Sequence, residues 1–86
     1  MRKDYRTIYK YDLPHRAVVV YIYLLERCNL EGVCWPSQGT IAKELKVSRM
    51  TVIRAIDDLK KAGLVETKQR FRSHGEKSSL QYHLKI

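Results

Sequence analysis

Hydrophobic and polar positions follow three different patterns along this chain, and each predicts a different element. Residues 17–25 are apolar without a break. Val18, Val19, Val20 and Ile22 among them favour a strand, so periodicity alone leaves the element open. Length and the preceding Pro14 decide for a helix over about 14–27 or 28. Proline suits a first helical turn, where its missing N–H goes unused, and Asp12 is available as a cap. Apolar residues cover most of this helix's circumference, which predicts burial on two sides. Further along, the spacing becomes amphipathic. Ile41, Ala42 and Leu45 make an inner stripe on a short helix over about 37–45 that begins at Ser37. Another helix begins at Ser48 and runs to Ala62, where Gly63 supplies a left-handed stop. At about 100° per residue, its Val52, Ala55, Ile56, Leu59 and Ala62 fall on one side, and Met50, Ile53, Arg54, Asp57 and Lys61 on the other. In the last segment Leu80, Tyr82, Leu84 and Ile86 alternate with Gln81, His83 and Lys85, the period of a half-buried strand.

The remaining segments are shorter. In an N-terminal arm, residues 1–12, Tyr5, Thr7, Tyr9 and Tyr11 alternate with Arg6, Ile8 and Lys10, and part of it is expected to pair as a strand. Asn29-Leu30-Glu31-Gly32 is a turn. Val33-Cys34-Trp35 reads as a short strand ended by Pro36, with Trp35 in the core over the hairpin base. Leu64-Val65-Glu66-Thr67-Lys68 leads into the basic Gln69-Arg70-Phe71-Arg72, and residues 73–78 turn the chain. The order is helix, short strand, helix, helix, hairpin.

Length changes the picture by limiting it. The 86 residues allow one domain and exclude a multi-domain enzyme or a (β/α) barrel. The longest apolar run is far below the ~20 residues that span a bilayer. Asp4 and Asp12 before it, and Glu26-Arg27 after it, do not suit a signal peptide. No membrane contact is expected, and the expected place is the cytoplasm, at the nucleoid. Cys28 and Cys34 are the only cysteines, too few for a secreted disulfide framework and without zinc spacing. They read as small buried hydrophobes. His15, His74 and His83 are scattered and read as surface or partly packed. No metal and no cofactor is expected.

Charge narrows the function. The chain carries 17 Lys+Arg against 9 Asp+Glu, a net +8. Residues 13–36 are neutral, with two of each sign, and are the most apolar. Residues 37–63 carry six basic against three acidic groups, and 64–86 five against two. A core-forming helix followed by a basic surface draws polyanions, chiefly nucleic acid or an acidic membrane face, and charge alone does not choose between them. The two helices joined by Lys46-Val47 form a helix-turn-helix, in which Ala42 allows a close crossing and Ile41, Leu45, Val47, Val52 and Ile56 fill the shared core. The exposed side of the second opens with Arg49, Met50, Thr51 and Arg54. That side suits a DNA major groove, where Arg reads guanine and Thr or Met meets a thymine methyl.

At these residues a resemblance emerges. SRMTVIRAIDDLKKAGLVETK is similar to the recognition helix and following strand of GntR-type winged-helix regulators. The longer VCWPSQGTIAKELKVSRMTVIRAIDDLKKAGL, with the late strand LQYHLKI, resembles more closely the small winged-helix modules of plasmid and phage replication initiators and mobile-element regulators. The likeness covers about residues 13–86. It implies an α+β winged helix-turn-helix, three helices plus a small antiparallel β-hairpin wing. It further implies sequence-specific binding of double-stranded DNA in transcription regulation or replication initiation, with helix 48–62 in the major groove and wing 69–79 on the adjacent backbone or minor groove. Base contact would fall to Arg49, Met50, Thr51 and Arg54. Backbone contact would fall to Ser37, Gln38, Thr40, Lys43 and Ser48, and in the wing to Arg70, Arg72, His74 and Lys77.

The chain departs from those families in two residues. Lys46 stands where the inter-helix turn usually has glycine, and is expected at positive φ. Ile53 stands where GntR-type domains often place arginine, so that base contact does not carry over. The effector domain of GntR-type proteins is not in these residues, so no small-molecule effector is expected. The arm either grips a minor groove or packs on the domain. Two other functions compete. One is a protein-interaction winged helix in which helix 1, or the exposed Ile53 and Met50, seats a partner; a homodimer, larger complex or docking site through Val19, Tyr23 or their neighbours is expected as well. The other is a small nuclease or toxin, for which no carboxylate cluster, histidine pair or activated nucleophile is evident. The chain is read as a binding module, not an enzyme.

Overall fold

The computed structural model describes residues 5–68 and 81–85. A 3-10 turn, Tyr5–Lys10, leads to α1 (His15–Arg27), β1 (Val33–Cys34), α2 (Gln38–Leu45), α3 (Arg49–Lys61), β2 (Val65–Lys68) and β3 (Gln81–Leu84). The three helices and a three-stranded antiparallel sheet of order β1-β3-β2 make the α+β winged-helix arrangement. Cys34 pairs with Tyr82 across β1 and β3. Val65 pairs with Leu84, and Lys68 with Gln81, across β2 and β3.

Local chemistry accounts for the helix limits. Ser37 and Ser48 each use Oγ to accept the backbone N–H three residues on, Thr40 and Thr51, at 3.0 Å. Each also shares a 2.8 Å hydroxyl contact with that threonine. Two of the N–H groups that a helix start leaves orphaned are thus met by the same S-x-x-T device. The two stops match as well. After α3, Gly63 takes φ 76°, its N–H bonds Lys60 O, and Leu64 N–H reaches Leu59 O. After α2, Lys46 takes φ 59° and Val47 N–H reaches Ala42 O at 3.0 Å. The left-handed conformation closes both helices; glycine adopts it freely, and Lys46 does so against the clash of its Cβ. Gly32, at φ 78°, turns the chain into β1, and its carbonyl accepts from Leu84 N–H.

Side chains from every element fill one core. Val20, Tyr21, Leu24 and Leu25 of α1 meet Val52, Ala55 and Leu59 of α3, Ile41 of α2, and Val65 and Tyr82 of the sheet. As the alternation predicts, Tyr82 and Leu84 point inward while Gln81 and His83 are half-buried. Cys28 and Cys34 are buried, their thiols directed at Leu25 O and Leu24 O.

Several expectations are corrected. Tyr5–Lys10 of the arm forms a 3-10 turn, where part of the arm was expected to pair as a strand. Its Ile8 is fully buried in the core against α1, leaving Tyr9 exposed. Insertion of one aliphatic side chain there outweighs the alternation, which needs a sheet edge to act on. Asp12 is exposed and does not cap α1; Pro14 occupies that position with no side-chain bond. Trp35 is 53% exposed, outside the core. Cys34 faces inward, and strand residues alternate sides, so its neighbour must face out. Val47 is also exposed, because the left-handed Lys46 swings the chain away from the shared core. Tyr23, expected at an outer docking surface, is buried, while Val19 remains exposed.

Candidate nucleic-acid interface

The outer side of α3 is built by helical geometry on the fixed start at Ser48. Arg49, Met50, Ile53 and Arg54 are all exposed. They occupy four adjoining positions of one helical face, with Met50 and Ile53 three residues apart across its middle. Asp57 and Lys61, one turn further, pair at 3.1 Å. Thr51 sits differently. It is half-buried, its hydroxyl is held by Ser48, and it lines a groove of about 270 Å³ with His15, Val19, Leu45 and Val47. The sequence placed Thr51 only at the flank of the face, and the cap turns it toward α1.

On α2, Lys43 is exposed and Gln38 half-buried. Ser37 and Thr40 are exposed but already bonded to each other, as are Ser48 and Thr51. Arg70, Arg72, His74 and Lys77 lie outside the described residues.

The electrostatics of this side follow from where its acids go. Segment 37–63 has three acidic residues, Glu44, Asp57 and Asp58. All three are paired. Arg27 donates to Glu44 at 2.8 Å, and Arg16 to Asp58 at 2.8 Å. Asp57 has Lys61. Two of these cations, Arg16 and Arg27, come from α1, within the formally neutral segment 13–36. Among the described residues, Lys43, Lys46, Arg49, Arg54 and Lys60 form no ion pair. The tertiary structure thus leaves five cations of α2, α3 and their connections uncompensated.

The sequence did not expose the α1–α2 lock. Tyr23 donates to Glu44, and the Arg27 guanidinium stacks 4.8 Å from the Tyr23 ring. Burial, then the bond to Glu44, pushes the Tyr23 hydroxyl above its ordinary range. The four-residue spacing of Tyr23 and Arg27 placed them on one face of α1, but nothing local named Glu44. On the sheet, Glu66 is paired by Lys85, whose bond and charge lower its carboxyl. His83 contacts Gln81 at 3.0 Å, and His15 is exposed.

No helix among the described residues is long and apolar enough to cross a membrane. The Escherichia coli (strain K12) Protein YmfN is 37% identical over 59 residues, which take in 69% of this chain and 13% of that protein. This chain therefore spans a small part of that relative's length. A solved chain described as a possible transcriptional regulator from Methanosarcina mazei Go1 superposes with a TM-score of 0.66 at 20% identity. The superposition covers 87% of this chain and 58% of the other; at that identity the likeness is one of fold. A family model described as a helix-turn-helix domain matches residues 11–65, from the lead-in to α1 through the start of β2. With its two capped helices, left-handed turn and β2–β3 pair, this chain belongs to that helix-turn-helix domain family, in the winged form.

Proposed function

We propose that this chain binds double-stranded DNA sequence-specifically and serves in the regulation of transcription or the initiation of replication. The observation that carries the reading is the uncompensated α3 surface: Arg49 and Arg54 stand open while each neighbouring acid is neutralised by another cation. In this reading α3 enters the major groove, with Arg49, Met50 and Arg54 at base edges and Thr51 at the rim. Lys43, with Gln38 and the first turn of α2, meets the backbone. Arg70, Arg72, His74 and Lys77 serve the wing. The action is binding without catalysis. Pairing of two copies belongs to the same proposal, and a palindromic preferred site together with a doubled sedimentation mass would support it.

The test is selection of bound DNA from a random pool, followed by Arg49→Ala and Arg72→Ala on the selected and on random DNA across a salt series. Arg49→Ala should cost about 1–3 kcal/mol on the selected site and little on random DNA. Arg72→Ala should weaken both alike and lower the salt slope by about one. If Arg72→Ala alone abolished discrimination, the wing would be the reader and the roles would be reversed. Absence of salt-sensitive DNA binding would favour the protein-docking reading, for which Val19 on α1 and Met50 and Ile53 on α3 are exposed.

A further inference from the structure

Two large apolar side chains lie open in the middle of the α3 face. Met50 is 53% and Ile53 39% exposed. Neither burial nor helix propensity accounts for Ile53, since a β-branched residue is a mediocre helix former. The four positions form a small rhomb on the helix surface. Arg49 and Ile53 lie along one edge, Met50 and Arg54 along the other, so the apolar pair fills the short diagonal and the cations hold the far corners. No acidic side chain stands on this rhomb; the nearest on the face, Asp57, is paired with Lys61.

Resting on the DNA-binding reading above, we propose that Ile53, together with Met50, reads thymine methyl groups. The preferred site then carries adjacent A·T pairs, with guanines on either side read by Arg49 and Arg54. The chemistry follows from what each side chain lacks. Ile53 has no donor or acceptor, so it contributes nothing to the hydrogen-bond code of base edges. The thymine 5-methyl is the one apolar group that a major groove presents. Met50 and Ile53 adjoin on the helix surface, with Cβ atoms three residues apart lying about 5–6 Å from each other, so both can reach neighbouring base pairs, which stack ~3.4 Å apart. A cytosine-rich centre would leave both side chains against polar amino groups without partners, a penalty that sharpens the choice. The arginine absent from position 53 is therefore replaced by a different reading chemistry.

Substitution of uracil for thymine tests this, because it removes the methyl and leaves every hydrogen-bonding group of the base pair in place. After selection, each thymine of the preferred site is replaced in turn by uracil. Wild type should lose about fourfold in affinity at each contacted position, the equivalent of one methyl's burial. Ile53→Ala should bind the thymine and uracil forms of one of those positions alike, and Ile53→Val should keep part of the ratio. A circular dichroism melt shows that each variant is folded. If wild type binds the site specifically, and Arg49→Ala loses discrimination, yet no uracil substitution matters, the inference is wrong and the DNA reading stands. If wild type binds no DNA above background, both fail, and the Met50–Ile53 patch becomes a protein contact.

Discussion

Helices α1 and α3 have the same length, thirteen residues, and opposite uses of it. α1 buries six side chains and half-buries Val18 and Ile22, so core reaches it from two sides. α3 buries four along a single stripe. The charges divide the same way. Arg16 and Arg27 of α1 are committed to Asp58 and Glu44, whereas Arg49 and Arg54 of α3 are committed to nothing described. α1 organises the interior and cancels acids that would weaken the surface beside it. α3 can keep an open face because α1 does both.

The sharpest way to break this contrast is one substitution on each helix. Leu24→Ala, at a fully buried α1 position, should cost about 2–5 kcal/mol. In a domain of this size each kcal/mol lowers the thermal midpoint by about 4–8 °C. Ile53→Ala on the open face should stay within about 0.5 kcal/mol while changing DNA preference. Equal thermal losses from the two would show that the α3 face is packed and not free.

Alkaline pH attacks the closed side. Tyr82, on the strand that packs against α1, is fully buried, and its hydroxyl has no hydrogen-bond partner among the described residues. Burial pushes its pKa from 10.0 up to about 12, with the Cys34 thiol adding to the shift. Tyr21 is raised in the same direction, by burial first. A raised pKa means that the folded state holds its proton longer than the unfolded chain does. The stabilisation is therefore complete below pH 10 and is lost as pH climbs from about 10 to 12, on the order of 2–3 kcal/mol for Tyr82. Denaturant unfolding at stepped pH measures it. Tyr82→Phe should flatten part of that loss and be neutral or slightly stabilising at pH 7, since it deletes an unsatisfied buried group. A large loss at pH 7 would mean that the hydroxyl has a partner.

The smallest expected effect tests the turn that sets α3 against α2. Lys46→Gly removes a left-handed Cβ cost of roughly 1 kcal/mol and adds glycine's entropy in the unfolded state, about 0.5–1 kcal/mol. Stability should rise slightly or hold, read as the thermal midpoint, and a clear fall would show that the lysine side chain braces the turn. Loss of its charge should also weaken binding to random DNA.

Much of the fold and half of the candidate site were legible from local signals. Ser37, Ser48 and Gly63 mark helix limits because caps and left-handed stops are satisfied within a few residues of themselves. The division of α3 into inner and outer faces is pure periodicity, so Arg49, Met50 and Arg54 could be named with no partner in view. Lys46 at positive φ came from the resemblance and is met by the backbone. By contrast, Thr51 was assigned by position alone; the cap that engages its hydroxyl is local, but its turn toward α1 is not.

Local sequence settles what closes within one or two helical turns: the serine caps, the left-handed stops and the stripe that goes in. Tertiary structure alone decided matters at the ends and junctions of elements. Burial there depends on which distant surface arrives. Ile8 is buried because α1 receives it, and Tyr23 because Glu44 of α2 accepts from its hydroxyl. Trp35 is exposed because the Cys34–Tyr82 register turns its neighbour inward. The open charge of α3 belongs to the same class. A count of residues 37–63 shows six cations and three acids, but only the packing of α1 supplies Arg16 and Arg27 to two of those acids. Coulomb interactions act through space over a few ångströms, and sequence separations of 42 and 17 residues carry no trace of them.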